Sequence, residues 1–298
     1  MSEESSPRVV VITGCSSGFG NLCAREFARA GEQVIATMRD PAKADLAPLA
    51  AAGDAQVNPD VRALDVTDAD SIAHCVAAVI QDYGRIDVLI NNAGIHLLGA
   101  MEDMSEESFR QVFETNFFGP LNLARAVLPH MRAAGQGRII TVSSIGSLVG
   151  RVIDGVYCAS KSAVETAFEA MKYEVQRFGI QVSVVCPSAF RTSIGDKISE
   201  QATPGEDSPY ASLLAFRRDK VHESLAAGGD PQEVASLIRQ IAAEPDPQFR
   251  YVVGDKAQLM QQTLTGLGDA ERQQLIKRLA EIDWWVSGAD RPQQGPQE

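Results

Sequence analysis

The chain has 298 residues, 45% of them hydrophobic and only 6% aromatic, with a formal net charge of -12. That length and composition suit one large α/β domain with an aliphatic core. The acid excess argues against a nucleic-acid partner or an anionic membrane surface, because both require a concentrated basic face.

No apolar stretch is long enough to span a bilayer. The opening MSEESSPR has neither the basic nor the apolar region of a secretory signal. Cys15, Cys23, Cys75, Cys158 and Cys186 fall outside C-x-x-C spacing, and the four histidines are equally scattered. The expectation is a cytoplasmic protein with reduced thiols and no metal centre.

In chain order, residues 1–7 read as a flexible lead and residues 8–286 as one domain, with a disordered tail at 287–298. Arg8–Ile12 is the first buried strand, and Gly18–Ala30 a helix stopped at Gly31. Gln33–Thr37 and Val61–Val66 follow as strands. Thr67 reads as the cap of a helix to Tyr83, with Asp70 completing a capping box. Ile86–Ile90 is the fourth strand. A long helix from Ser105 to Ala134 carries Gly119 and Pro120, where a bend is expected. Arg138–Val142 is the fifth strand, and a helix then runs to Phe178, ending at Gly179. Ile180–Val185 is the sixth strand.

Beyond it, Pro187–Pro209 is rich in Ser, Thr, Gly and Pro and opens a substrate loop or lid over about 188–228, with a helix from Tyr210 to Ala227. Asp230, Pro231 and Glu233 start another helix with cap, proline and box in order. Arg250–Val253 is a seventh strand, and Asp269–Val286 reads as one amphipathic helix ending in Trp284 and Trp285. Strands separated by helices imply a doubly wound, Rossmann-type parallel sheet of seven strands covered on both faces.

Two motifs carry chemistry. The run TGCSSGFG, Thr13–Gly20, sits between the first strand and the first helix, where a doubly wound fold places a dinucleotide pyrophosphate. Gly14, Gly18 and Gly20 permit a tight turn and close backbone approach, and the helix N-terminus meets the phosphates. Within VYCASK, Tyr157 and Lys161 lie one turn apart on one helix face. A free tyrosine titrates near pH 10 and is a poor acid or base at neutrality. A nearby ammonium lowers that value by favouring the phenolate. Taken alone, such a pair is also an ordinary solvated helix face.

The spacing G-x-x-x-G-x-G, followed downstream by VYCASK, resembles the short-chain dehydrogenase/reductase family over about Arg8 to Val253. The resemblance implies a nicotinamide cofactor and hydride transfer between it and a carbonyl or alcohol. It implies cofactor contacts from Gly14, Ser17, Gly18 and Gly20, and from Asp65 and Val66 beside the adenine. Asn92 and Gly94, in NNAG, and Pro187, Phe190 and Thr192 beside the carboxamide complete that set with Tyr157 and Lys161. The family's glycine after the proline is Ser188 here. The same resemblance makes Tyr157 the general acid/base and Lys161 its tuner and ribose contact. Ser144, rather than Ser143, orients the substrate carbonyl together with Tyr157. Asn116 occupies the place of a helix distortion that anchors a relay water.

The second strand ends ATMRD. Met38 stands where an acid would bind the ribose hydroxyls of NAD, and Arg39 next to it favours NADP(H), with NAD(H) as the alternative. Asp40 reads as the cap of the turn before Pro41 or, alternatively, as an acid favouring NAD(H). The motifs resemble the branch of type-1 17β-hydroxysteroid dehydrogenase and the retinol dehydrogenases, which implies a bulky, apolar small-molecule substrate and a homodimer or homotetramer. Ile194, Ile198, Leu213, Leu214 and Phe216 either line an apolar pocket or pack a lid helix on the core. His96 is a loop histidine or a substrate contact. A catalytically silent NADP(H)-binding redox sensor and a sugar-nucleotide epimerase are the competing readings. The glycine spacing and the lack of a large C-terminal domain speak against the second.

Overall fold

The computed structural model describes residues 6–46, 49–50, 56–192 and 207–290. Its strands are β1 (Val9–Thr13), β2 (Gln33–Met38), β3 (Leu49–Ala50), β4 (Gln56–Val57), β5 (Asp60–Ala63), β6 (Val88–Asn91), β7 (Gly137–Val142), β8 (Ile180–Pro187) and β9 (Arg250–Val253). The helices are α1 (Gly18–Arg29), α2 (Ala69–Tyr83), α3 (Glu106–Phe113), α4 (Gly119–Ala134), α5 (Gly155–Val175), α6 (Ala211–Ala226), α7 (Pro231–Ala243), α8 (Asp255–Leu264), α9 (Asp269–Leu279) and α10 (Asp283–Val286).

Seven strands form one all-parallel sheet in the order β5-β2-β1-β6-β7-β8-β9, the Rossmann-like arrangement expected. Alternation along β1 divides the core. Val9 and Val11 join Val76 of α2, Val127 of α4 and Phe168 of α5, whereas Val10 and Ile12 join Phe27 of α1 and Ile238 of α7. Both faces are therefore covered, and every residue of β1 is buried. Burial of a side chain the size of Phe27 or Phe168 contributes roughly 2–3 kcal/mol. From β1 the chain passes to β2 and β5 on one side, and β6 pairs on the other. The order reverses between β1 and β6, so the crevice at their carboxyl ends is where a ligand binds in such folds.

Local physics moved several boundaries. The third strand of the sheet is Asp60–Ala63, not Val61–Val66. Asp65 instead accepts bonds from the Thr67 N–H (2.9 Å) and hydroxyl (2.7 Å), turning the chain out of the ladder. The cap of α2 is consequently Asp68 rather than Thr67; its carboxylate accepts from the N–H groups of Asp70 (2.9 Å) and Ser71 (3.2 Å). The long helix is interrupted at Glu114–Phe118 by a π-helical turn, just ahead of the bend expected at Gly119 and Pro120. Pro120 has no N–H to offer the Asn116 carbonyl, and its ring crowds that carbonyl, so the wider turn accommodates it.

The segment Asp269–Val286 is two helices, because Glu281 adopts a left-handed φ of 53°. That break turns Trp284 against Phe216 of α6, with centroids 5.7 Å apart, and Trp285 against Tyr210, 6.1 Å away. Helix α8 and the β3-β4 hairpin were not foreseen from the sequence. Ile194 and Ile198, residues 193–206 of the expected loop or lid, and the outer parts of the expected lead and tail lie outside the described residues. Among the described residues no helix is long and apolar enough to cross a membrane.

Asp68 holds two helix N–H groups, so Asp68→Ala is expected to destabilise the protein by about 1 kcal/mol. Chemical denaturation of both proteins measures this, and an unchanged midpoint would reject the cap.

Candidate active site

The β1-α1 turn is built to let backbone come close. Gly14 has φ +71°, and a Cβ there would lie 2.9 Å from the Ala93 Cα. At Gly20 a Cβ would collide with the Asn92 side chain and the Gly14 carbonyl. The opposing loop after β6 is bolted to this turn. Thr13 Oγ1 accepts from the N–H groups of Asn92 and Ala93, each at 2.9 Å, and Asn92 Nδ2 donates to the Thr13 carbonyl at 2.8 Å. Asn92 therefore spends its amide on the glycine turn.

Ser17 precedes α1 with extended backbone and no side-chain cap bond. The first-turn N–H groups lack intrahelical partners, as at any helix start. Gly18 (φ +58°) faces Thr192, whose Cβ lies 3.6 Å from where a side chain on Gly18 would begin. Uncapped donors beside a turn whose Gly14 and Gly20 admit no side chain fit an anionic pyrophosphate.

The remaining expected cofactor residues ring the same edge. Arg39 is exposed directly after β2, and among the described residues it makes no ion pair. Asp40 caps the following turn, its carboxylate accepting from the Ala42 N–H at 3.1 Å. Asp65 is occupied by Thr67, and Val66 is buried with its carbonyl close against Gly119. Pro187 ends β8 in register with Val253. Ser188 donates its N–H to the Val253 carbonyl (3.0 Å), and its φ is not positive, so the lost glycine causes no backbone strain. Phe190 is buried, edge-on to Phe19 at 5.8 Å.

Ser144, Tyr157, Lys161 and Asn116 converge beside this edge, all nine-tenths buried or more. Ser144 follows β7 and hydrogen-bonds the Tyr157 side chain. Its neighbour Ser143 turns the other way and donates to Glu165 Oε1 at 2.5 Å. Asn116, in the π turn, accepts from the Ile95 N–H (2.9 Å) and donates to the Ile95 carbonyl (2.9 Å) and Ser160 Oγ (3.1 Å). It staples the loop after β6 to α5. Gly94 packs between them: a Cβ would lie 3.2 Å from Asn116 Oδ1 and 3.6 Å from Lys161 Nζ. Lys161 Nζ donates to the Val142 carbonyl at 3.0 Å and stands 5.8 Å from the Tyr157 ring centroid.

One expectation is corrected here. Burial, not Lys161, is the largest influence on the Tyr157 phenol in this geometry. Burial pushes the phenol up to about 12, opposed by the Ser144 hydrogen bond and the Arg151 charge, while Asp154 adds to the rise. Burial also brings the Lys161 ammonium down to about 8, against the pull of Glu165. Both groups leave water, and burial is the largest influence on each.

Four residues went unread in the sequence. Glu165, one turn beyond Lys161, receives Ser143, Cys186 (3.2 Å) and Arg250 (2.8 Å). Its i+4 spacing from Lys161 was the available signal. Asp154 is fully buried, accepts from the His96 Nε2–H at 2.5 Å, and pairs with Arg151 Nη2 at 2.5 Å. Arg217 of α6 is buried nearby. Between Arg151 and Asp154, Ile153 sits at φ 65°, a strained conformation for a β-branched residue that costs on the order of 1–3 kcal/mol. His96 is no free loop histidine: its ring stacks on Tyr157, centroids 4.0 Å apart at 25°. Leu213 and Leu214 of α6 pack with Leu98, Ile153 and the tryptophan pair.

A reversed parallel sheet, a glycine cradle at its switch point and a buried hydroxyl-phenol-ammonium set beside that cradle define an NAD(P)-dependent oxidoreductase. Comparison with known proteins refines the class. The family model for short chain dehydrogenases matches residues 8–203, and the chain belongs to the short-chain dehydrogenase/reductase family. It is 36% identical to 3-ketodihydrosphingosine reductase of Bacteroides thetaiotaomicron, covering 85% of this chain and 90% of that one. Retinol dehydrogenase 8 of Bos taurus is 38% identical over 82% of this chain and 81% of its own, consistent with the branch read from the motifs. A short-chain dehydrogenase from Streptomyces avermitilis of known crystal structure superposes with a TM-score of 0.73 at 33% identity, covering 97% of this chain and all of the other.

The depressed Lys161 value sets a stability trend. Between about 8 and 10.5 the unfolded chain binds more protons at this site than the folded one, so stability rises with pH there. Below about 8 the buried ammonium is a burden of roughly 3 kcal/mol, at 1.36 kcal/mol per unit. Lys161→Met should therefore be at least as stable as the parent at pH 7, the difference shrinking as pH climbs toward 10.5. Thermal melts across that range measure it, and a variant less stable at pH 7 would contradict the assignment.

Proposed function

We propose that the protein is an NADP-dependent ketone reductase or alcohol dehydrogenase for a bulky, apolar substrate, with Tyr157 as general acid/base. The observation that carries this reading is the buried Ser144-Tyr157-Lys161 set beside the glycine cradle. The preference for NADP(H) over NAD(H) rests on Arg39, an exposed cation after β2, with Met38 at the strand-end position where an acid would bind the ribose of NAD. The apolar substrate is supported by the relatives: a sphingoid-base reductase and a retinol dehydrogenase are named for long hydrocarbon substrates.

In this reading the cradle residues Gly14, Ser17, Gly18 and Gly20 hold the pyrophosphate, and Asp65 and Val66 flank the adenine. Asn92, Gly94, Pro187, Phe190 and Thr192 border the nicotinamide side. The cofactor supplies or accepts the hydride. Ser144 and the Tyr157 phenol hold the carbonyl oxygen where negative charge develops. As the carbonyl carbon becomes tetrahedral, the phenol proton passes to that oxygen, and oxidation runs the same transfer backwards. Lys161 holds the ribose and supports the phenolate that forms. The Asn116 carbonyl, which Pro120 cannot satisfy, anchors a water for returning the proton.

Five cysteines that are buried and unpaired suit a reducing, cytoplasmic setting. A homodimer or homotetramer through the α4-α5 side is supported by Phe118 and Tyr173, which stand 41% and 68% exposed there. Light scattering tests this, and a monomer at working concentration would reject it.

Turnover of NADPH with a panel of hydrophobic ketones tests the reading as a whole. Activity should be greater with NADPH than with NADH. Tyr157→Phe should lower it by roughly 10³-fold while nucleotide binding persists. Unchanged turnover in that variant would remove Tyr157 from the chemistry. Nucleotide binding without turnover of any carbonyl or alcohol would favour the redox-sensor reading.

A further inference from the structure

Groups from outside the Ser-Tyr-Lys set gather around the Tyr157 phenol. His96, on the loop after β6, lies flat against the phenol ring at 4.0 Å and joins its Nε2 to Asp154 Oδ1 at 2.5 Å. The other oxygen of Asp154 meets Arg151 Nη2 at 2.5 Å, and neither that oxygen nor Arg151 Nε completes a well-aligned hydrogen bond. From α6, Arg217 adds a second buried guanidinium whose Nε is also unpartnered. A buried carboxylate with two guanidiniums is costly to assemble and is a poor way to gain stability. The backbone is strained at Ile153 to deliver Asp154 here. Nothing in the cradle or the sheet requires either expense.

We propose that His96, Asp154 and Arg151 are positioning residues that set the acidity of Tyr157: Asp154 holds the phenol in its proton-donating form, Arg151 opposes it, and His96 fixes the carboxylate against the ring. This rests on Tyr157 being the proton donor of the proposed reaction. Arg151 and Asp154 both act on the phenol, with opposite signs, after burial and the Ser144 hydrogen bond. Although burial works against it, Arg151 and then His96 keep the Asp154 carboxyl ionised below its ordinary value. Burial lowers Arg217, which Asp154 attracts and Arg151 repels. The groups facing the phenol are thus His96 after β6, Ser144 after β7, Arg151 and Asp154 before α5, Cys158 and Lys161 on α5, and Arg217 on α6 through Asp154. A phenol kept protonated through neutrality by burial is suited to giving its proton to a carbonyl, and the opposed charges of Arg151 and Asp154 adjust how far burial holds it there.

The test titrates Tyr157 directly by phenolate absorbance in the near ultraviolet, as the difference from Tyr157→Phe, alongside the pH profile of NADPH-dependent reduction. Asp154→Asn should move the midpoint down by roughly one unit and Arg151→Gln up by roughly one unit. The double variant should return close to the parent, since both charges are gone. His96→Phe, which keeps a ring on the phenol but frees Asp154, should move the midpoint up. If Arg151→Gln does not fold, Asp154→Asn and the double variant decide the matter. Shifts of the same sign in the two single variants, or none in folded Asp154→Asn, would overturn the proposal. Absence of turnover with every carbonyl would count against the proposed function alone, because the phenolate titration reads the coupling without substrate.

Discussion

Much of this molecule depends on one junction, where Thr13 at the end of β1 takes two backbone N–H groups from the loop after β6 and gives its carbonyl to Asn92. These are neighbouring parallel strands, and the chain departs from them in opposite directions, so the crevice between them is forced by topology. The junction sets its width. With the loops this close, only glycine fits at positions 14 and 20. Backbone then lines the crevice where side chains would otherwise fill it. The same β6 loop carries Gly94, Ile95 and His96 toward α5, so cofactor cradle and phenol are registered through a single stretch of chain.

From that loop the order passes to α5 by way of Asn116. Its amide serves both polar groups of Ile95 and reaches Ser160, one turn from Tyr157. It can do so because Pro120 opens the helix into a π turn. A helix defect thus becomes a fastening between the sheet edge and the catalytic helix. Beneath α5, Glu165 gathers Ser143, Cys186 and Arg250, tying the same helix to β7, β8 and β9. Buried polar networks of this kind contribute little net stability, but they restrict the helix to one position. Position is what a proton donor and its carbonyl require.

The fold was largely legible because its signals are local. Alternating β-branched runs and capped helices gave six of the seven sheet strands close to their final places, and the seventh, the third in chain order, shifted when Asp65 made a turn with Thr67. The continuous helix expected over Asp269–Val286 broke because Trp284 and Trp285 gain more by packing on α6 than Glu281 loses in a left-handed conformation. Short-range pattern cannot weigh that exchange. Among the site residues, Ser144 and Ser143 are indistinguishable by type, and only their orientation assigns one to Tyr157 and the other to Glu165. His96, left open between loop and site, is settled as a neighbour of the phenol by its stacking.

By itself the sequence determined the parallel sheet, the glycine turn that must approach another backbone, the Tyr157-Lys161 pair on one helix face, and through them the family. Each follows from spacing along a strand, a turn or a helix. Tertiary structure alone decided the charge environment of that pair. Burial moved the phenol up and the ammonium down, and the charges acting on Tyr157 after Ser144 are Arg151 and Asp154, which flank a strained turn at Ile153 and meet a histidine from a distant loop. Electrostatic influence depends on distance and exclusion of water, and neither is written in sequence separation.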